Sequence, residues 1–311
     1  MDYAEAFRIC QRQAAAHYEN FPVASALLPR RLRQPIAAIY VFARRADDWA
    51  DEGDLPAAER LQALDAMEQA LDETLAGHPP DDPLWIALAA TLARFELPDQ
   101  PLRDLLSAFR QDVTTTRYAT VEDVLDYCER SANPVGRLLL ALAGEATPAN
   151  LRASDSICTA LQLLNFLQDF HQDWVERDRL YIPENDLFRH GVSTEQLRAG
   201  STDAGVQTLF GEQVERAAWW LYEGADLPQR LRGRFAAEIR LIVRGGWCIV
   251  EHLRTVKPSD PFARPRLDAA DKRWILRGLF ARRALPRSIR APLDPVRTRL
   301  YTIDANGRVQ G

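Results

Sequence analysis

Four cysteines, Cys10, Cys128, Cys158 and Cys248, are spread along 311 residues without a CxxC pair. That spacing speaks against a zinc framework or a disulfide scaffold and fits a reducing cytoplasm. Long apolar runs are also missing. The longest extends from Ile36 to Ala43, well short of the roughly 18 residues that a membrane-spanning helix needs. The N-terminal MDYAEAFRICQRQ has no apolar signal-peptide core. These absences predict a soluble, cytoplasmic protein. Neither a P-loop nor a GxGxxG turn occurs, so a nucleotide is not the expected phosphate carrier. There is no Glu-x-x-His pair of the kind a di-iron bundle uses. A net charge of −5 gives no reason to expect nucleic acid.

Strand signals are almost absent as well, and helical periodicity dominates. It predicts helices over Ala4–His17, Arg31–Glu52, Ala57–Leu75, Pro83–Phe95, Pro101–Thr115, Val121–Ala143 and Ala149–Val175. Further helices fit Gly205–Tyr222, Pro228–Leu253 and Ala269–Ala284. Breakers such as GHPPDDP, ELPDQP and VKPSDPFARPR separate them. The expected architecture is one all-α domain over residues 1–284, followed by a basic, irregular tail over 285–311.

Two stretches depart from ordinary helix composition. In YVFARRADDWADEGD, the residues Tyr40, Arg44, Asp47 and Asp51 fall on one helical face, with Asp48 at its edge and Gly53 as the stop. In NFLQDFHQDWVERDRLYIP, the residues Asn165, Asp169 and Asp173 recur at four-residue spacing on an otherwise apolar helix. Carboxylates near a helix C-terminus are destabilising unless a cation answers them. One acidic i,i+4 pair is ordinarily a solvated face. Two such pairs, flanked by Phe42, Trp49, Phe166, Phe170 and Trp174, suit a cavity wall better.

Oxygen-only ligands favour a hard cation, Mg²⁺ before Mn²⁺. Mg²⁺ held by a few carboxylates normally completes its shell with water and substrate phosphate, so a phosphate or diphosphate substrate is expected. His171 lies on the other side of the helix and reads as structural. Arg44 and Arg179 offer forked donors for phosphate oxygens. Nearby rings could stabilise a carbocation through their π faces.

Over about residues 4 to 284 the chain resembles the squalene/phytoene synthase family of isoprenoid enzymes. The resemblance is carried by IAAIYVFARRADDWADEGD, DYCERSANPVGRLL and LQLLNFLQDFHQDWVERDRLYIP. It implies an all-α isoprenoid synthase fold with a central cavity and a Mg²⁺–diphosphate clamp formed by Asp47, Asp51, Asp169 and Asp173, with Asn165 helping to hold a metal ion. It places Gln162 and Tyr127 in the cavity, and Tyr40 and Arg44 near the diphosphate. Within the family, HYENFPVASALLPRRLRQPIAAIY, FRQDVTTTRYAT and NFLQDF point to the bacterial hopanoid branch. Its members convert presqualene diphosphate and water to hydroxysqualene and diphosphate.

Two departures from the family pattern sharpen that expectation. Gln168 stands where most phytoene and dehydrosqualene synthases carry arginine, and Tyr18 and Asn20 stand in a flap segment that usually holds serines. Both changes fit an enzyme that performs only the second half-reaction. Tyr40, Tyr127 and Gln168 are then candidates to position water or shield the cation. Arg179 and Tyr181 join Arg44, Gln162, Tyr18 and Asn20 as substrate contacts. No NADPH is expected. The implied pathway partners are a presqualene diphosphate synthase and a hydroxysqualene-reducing enzyme. A complete head-to-head condensing synthase is the alternative within enzymes, and a non-catalytic assembly protein of the same fold is the alternative outside them. Finally, the segment 271–301 is strongly basic in an acidic chain. It reads either as the outside of the helical core or as a peripheral contact with the inner face of the membrane.

Overall fold

A computed structural model describes residues 1–16, 27–51 and 55–292, together with the backbone of 302–303 and 309–310. The architecture is all-α, as the periodicity predicts. Fourteen α-helices follow one another among the described residues, and the only strands there, β1 (Thr302–Ile303) and β2 (Val309–Gln310), form a short antiparallel pair. The chain divides into two compact units, residues 1–115, 129–151 and 231–238 in one, and 116–128, 152–230 and 239–311 in the other.

In the first unit, α2 (Arg30–Asp51) is the hub, touching α1 (Tyr3–Ala16), α3 (Ala57–Leu75), α4 (Pro83–Phe95), α5 (Gln100–Thr114) and α7 (Asn133–Ala143). It buries Leu32, Ile36, Ile39, Phe42 and Ala46 at helical spacing. Phe42 meets Trp85 of α4 edge-on, with ring centroids 5.9 Å apart. Local chemistry sets the helix ends. Asp82 caps α4 by accepting from Leu84 N (2.8 Å), with Pro83 at the first position.

In the second unit, the central helix is α8 (Pro148–Gln168), lying against α11 (Ala204–Gly224) and α13 (Gly233–Val256). The approach is close enough that Gly224 is required: a Cβ there would stand 2.5 Å from the Ala153 carbonyl oxygen. The segments after α5 and after α8 run side by side. Leu180 N donates to Thr116 O (2.9 Å), Glu184 N to Tyr118 O (2.9 Å) and Asn185 N to Ala119 O (3.0 Å).

Several helices differ from the periodicity. The predicted Val121–Ala143 helix breaks into α6 (Val121–Ser131) and α7 at Ala132, because Pro134 carries no N–H and restricts the residue before it. The predicted Ala149–Val175 helix is regular only to Gln168; a bend at Asp169 and a π turn over Gln172–Glu176 follow. The chain breaks at residues 231–232 after α12 (Leu227–Arg230), and Gly233, with φ +57°, opens α13. Two short helices, α9 (Glu184–His190) and α10 (Thr194–Arg198), lie where no helix was predicted. The last predicted helix ends early: α14 covers Ala269–Arg277, and a 3₁₀ turn occupies Gly278–Phe280.

Candidate active site

The first acidic motif occupies the last turns of α2. There, the Arg44 guanidinium spans two carboxylates, with Nη1 3.3 Å from Asp47 Oδ2 and Nε 2.6 Å from Asp48 Oδ1. Arg45 turns the other way and pairs with Asp82 through both of its terminal nitrogens (3.1 and 3.2 Å). Arg60 of α3 donates to Ala50 O (2.5 Å), so a second cation meets the negative end of the helix dipole. Tyr40, Asp47 and Asp51 are half-buried on that helix. Beside them, an open groove of about 570 Å³ is lined by Asp48, Trp49, Ala63, Ala66, Met67 and Trp85. Tyr18, Asn20 and Gly53 lie outside the described residues.

The second acidic motif lies where α8 loses its regularity. Asp169 N still bonds Asn165 O (2.8 Å) and Asp173 N bonds Asp169 O (2.9 Å), so the three predicted ligands keep their four-residue relation through the bend. The register then slips, and Arg177 N reaches Gln172 O (3.2 Å) across a π turn, a feature frequent at functional sites. The Asp169 and Asp173 side chains are only 13% and 12% exposed. Arg264 Nε stands 2.6 Å from Asp169 Oδ1, and Arg177 Nη1 stands 3.8 Å from Asp173 Oδ1.

Next to these carboxylates is a wall of four aromatic rings. Phe166 and Tyr181 stack with centroids 3.7 Å apart and planes at 7°. Tyr127 lies 6.1 Å from Phe166 and 5.8 Å from Tyr181, and Tyr118 packs on both tyrosines. Arg179 is buried, with Nη1 donating to the Tyr181 hydroxyl (3.4 Å). The predicted R-x-Y-x-P run therefore does place an arginine and a tyrosine beside the second motif. A small cavity of about 20 Å³, room for one water, is bounded by Phe166, Phe170, Asp173, Arg179, Tyr181 and Gln213. Gln162 is half-buried one turn before Phe166. Gln168 does not carry the arginine's charge; its Nε2 donates to Pro265 O (2.8 Å). His171 is exposed and pairs with Glu176 (3.6 Å), in keeping with a structural role.

Several neighbours gave no sequence signal. Trp174 is held between two guanidiniums, Arg117 at 4.6 Å and Arg198 at 4.2 Å from its ring centroid. Both arginines also hold Asp178, whose backbone is left-handed (φ +53°), at 3.1 and 2.5 Å. Arg198 and then Arg117 keep the Asp178 carboxyl below its usual range. Segment 257–266, which reads only as a helix breaker, straps the second motif. Phe262 stacks on Phe170 (5.9 Å) and meets His171 edge-on (5.0 Å).

At the base of the strap, Lys257 is fully buried between Phe170 and Phe210 and donates to Pro261 O (2.5 Å). Burial pushes its amine down from 10.5 to about 7 against the opposing pull of Asp260 and Asp169. Between those values the unfolded chain binds the proton and the fold does not, so stability increases with pH. Denaturant melts of the metal-free protein from about pH 7 to about pH 10 are expected to show this rise, and Lys257→Met should flatten it. An identical slope in the variant would remove Lys257 as its source.

Among the described residues no three His, Cys, Asp or Glu side chains converge as a metal cluster. Guanidiniums stand on the carboxylates instead. The donor set nonetheless fits Mg²⁺: it is all oxygen, and the carboxylates at both motifs already recruit positive charge.

The sequence profile of the squalene/phytoene synthase family matches residues 14–270. The chain belongs to this family. It is 36% identical over 287 residues to a hydroxysqualene synthase of Sinorhizobium fredii, covering 90% of this chain and 95% of that one. A phytoene synthase of Arthrospira platensis is 33% identical over 69% of this chain and 72% of its own length. Among solved structures, the squalene synthase HpnC from Alicyclobacillus acidocaldarius superposes with a TM-score of 0.76 at 37% identity, covering 81% of this chain and 94% of that one. The squalene/phytoene synthases are enzymes acting on prenyl diphosphates, and the all-α fold is theirs.

Proposed function

We propose that this protein is a Mg²⁺-dependent hydroxysqualene synthase, converting presqualene diphosphate and water to hydroxysqualene and diphosphate. The observation that carries the chemistry is the second motif. Asp169, Asp173 and Arg179, groups suited to an ionic diphosphate head, adjoin the Tyr118–Tyr127–Phe166–Tyr181 ring wall, which is suited to a cation. The near-full-length similarity to a hydroxysqualene synthase supports the choice of substrate.

Asp47 and Asp51 on α2 would hold metal at the first motif, and Asn165, Asp169 and Asp173 around the bend at the second. Bound there, Mg²⁺ would supply a Lewis acid for the charge on the leaving diphosphate. Arg44 and Arg179 bind diphosphate oxygens with paired donors. The C–O bond breaks with its electron pair leaving on the diphosphate, and the cyclopropylcarbinyl cation rearranges against the π faces of Tyr127, Phe166 and Tyr181. Water held beside Tyr181 and Gln213 forms the new C–O bond, and its proton passes to the departing diphosphate. Gln168, in place of an arginine, keeps the position neutral and anchored to Pro265. Tyr40 joins Tyr127 in shielding the cation, and Gln162, Tyr18 and Asn20 complete the substrate contacts. The reaction consumes no hydride, so NADPH has no role in it. A presqualene diphosphate synthase supplies the substrate, a hydroxysqualene-reducing enzyme takes the product, and the site of action is the cytoplasm at the inner face of the membrane.

The test is product analysis with presqualene diphosphate and farnesyl diphosphate offered separately, with and without NADPH. Presqualene diphosphate should be consumed far faster, yielding an alcohol whose amount is indifferent to NADPH. Efficient formation of presqualene diphosphate or squalene from farnesyl diphosphate alone would assign the protein to the condensing enzymes, a reading that its 33% identity to a phytoene synthase keeps in play.

A further inference from the structure

α14 and the 3₁₀ turn after it have one side packed and one side bare. On the packed side, Arg244 of α13 stacks on Trp274, 3.5 Å from the ring centroid, and donates to Trp274 O (2.6 Å) and Ala284 O (3.0 Å). Ile275 lies over Gly245, within 3.9 Å of where its Cβ would be. On the bare side, Leu276 is 54% exposed and Phe280 is 94% exposed. α14 buries none of its residues. The packed side fits the reading of this segment as the outside of the helical core; the bare side is left without a partner among the described residues.

In the same segment, the residues Lys272, Arg273, Arg277, Arg282, Arg283, Arg287 and Arg290 are all exposed. Asp271 is the one acid in 271–292, and it is engaged by His252 (2.7 Å) and by the Asp268 backbone (2.8 Å). A large exposed ring on a turn, within a segment of seven exposed basic residues and in a chain of net charge −5, joins apolar and cationic surface. Its chemistry matches an anionic bilayer, where apolar side chains enter the acyl boundary and arginines meet lipid phosphates. No helix among the described residues is long and apolar enough to cross a membrane, so the contact would be peripheral. The match to the family profile ends at residue 270, just before this face.

We propose that residues 272–290 dock this protein on an anionic lipid bilayer, with Leu276 and Phe280 inserted and the segment's arginines on phosphate headgroups. The proposal stands independently of the reaction assigned above, because binding is read without substrate. The experiment is co-sedimentation of the full chain with vesicles of phosphatidylglycerol and phosphatidylcholine, against phosphatidylcholine alone, at low and high salt. Binding to the anionic vesicles should weaken at least about tenfold on neutral vesicles, at high salt, and in the Arg282→Gln/Arg283→Gln/Arg287→Gln variant. Phe280→Ser should weaken it at both salt concentrations, since insertion is not screened. All the substituted side chains are exposed, and unchanged circular dichroism verifies the fold. Equal affinity for both vesicle types, wild-type binding by the triple variant, or no sedimentation at all would overturn the proposal. So would a concentration-dependent dimer abolished by Phe280→Ser, which would give the bare side to a second copy of this chain.

Discussion

Asp169→Asn is expected to lower turnover of presqualene diphosphate by about a thousandfold or more, with no loss of helix content. The substitution keeps the side chain's size and one oxygen while removing its charge. Asp169 sits at the bend that ends α8, 13% exposed, with Arg264 already 2.6 Å away. A carboxylate so placed is costly without a cation, and the cation required by the chemistry is one that also holds diphosphate. Asp47→Asn at the end of α2 is expected to act in the same direction. The metal-free proteins should keep their fold with at most a modest loss of stability, because each change weakens an ion pair, Arg264 with Asp169 or Arg44 with Asp47, while removing negative charge near a helix end. Turnover against Mg²⁺ concentration, beside thermal melts of the same samples, provides both readouts. Near-normal turnover by the combined variant would remove the clamp from the account.

Arg216→Met is expected to destabilise the fold by about 3–5 kcal/mol. Arg216 and Asp186 are 4% and 2% exposed at their side chains and 2.9 Å apart. Gln213 joins them, donating to Asp186 (2.7 Å) and accepting from Arg216 (2.6 Å). Burial alone would raise the Asp186 carboxyl; Arg216, Gln213 and Arg189 outweigh it and hold the group below its usual range. Asp186 therefore stabilises the fold above the unfolded carboxyl value of 3.8, and that contribution is lost as pH falls through the lower folded value. Without Arg216, only Gln213 and Arg189 oppose burial, so the charged form of Asp186 is less favoured and protonation costs less. The gap between wild type and variant in urea denaturation should consequently narrow from about pH 7 to about pH 4. A gap that is small, or constant across that range, would mean that the pair is not the structural anchor it resembles.

How much of this was legible in sequence depended on the range of the interactions involved. α3 and α4 match their predicted bounds because a proline before one, and a capping Asp82 with Pro83 at the other, are local signals. The face of Tyr40, Arg44, Asp47 and Asp51 follows from helical spacing alone, and α2 carries it. The π turn is different. Spacing extends α8 through Val175, whereas the register slip depends on Arg117 and Arg198 gripping Trp174 and Asp178 from other segments. The strap at 257–266 was equally hidden. Its prolines signalled only an ending, and nothing local indicates that Arg264 reaches Asp169 or that Pro265 accepts from Gln168. Lys257 carries no local signal of burial; the packing of Phe170 and Phe210 beside it is long-range in sequence.

The central claim is that water captures the rearranged cation, and oxygen tracing tests it most directly. Presqualene diphosphate would be turned over by the Mg²⁺-loaded protein in water enriched in oxygen-18, and the C30 product examined by mass spectrometry. The expected product is an alcohol whose oxygen carries the enrichment of the solvent. An alcohol retaining the substrate's unlabelled bridging oxygen would mean cleavage at phosphorus, and a hydrocarbon product would mean a different capture; either result contradicts the assignment.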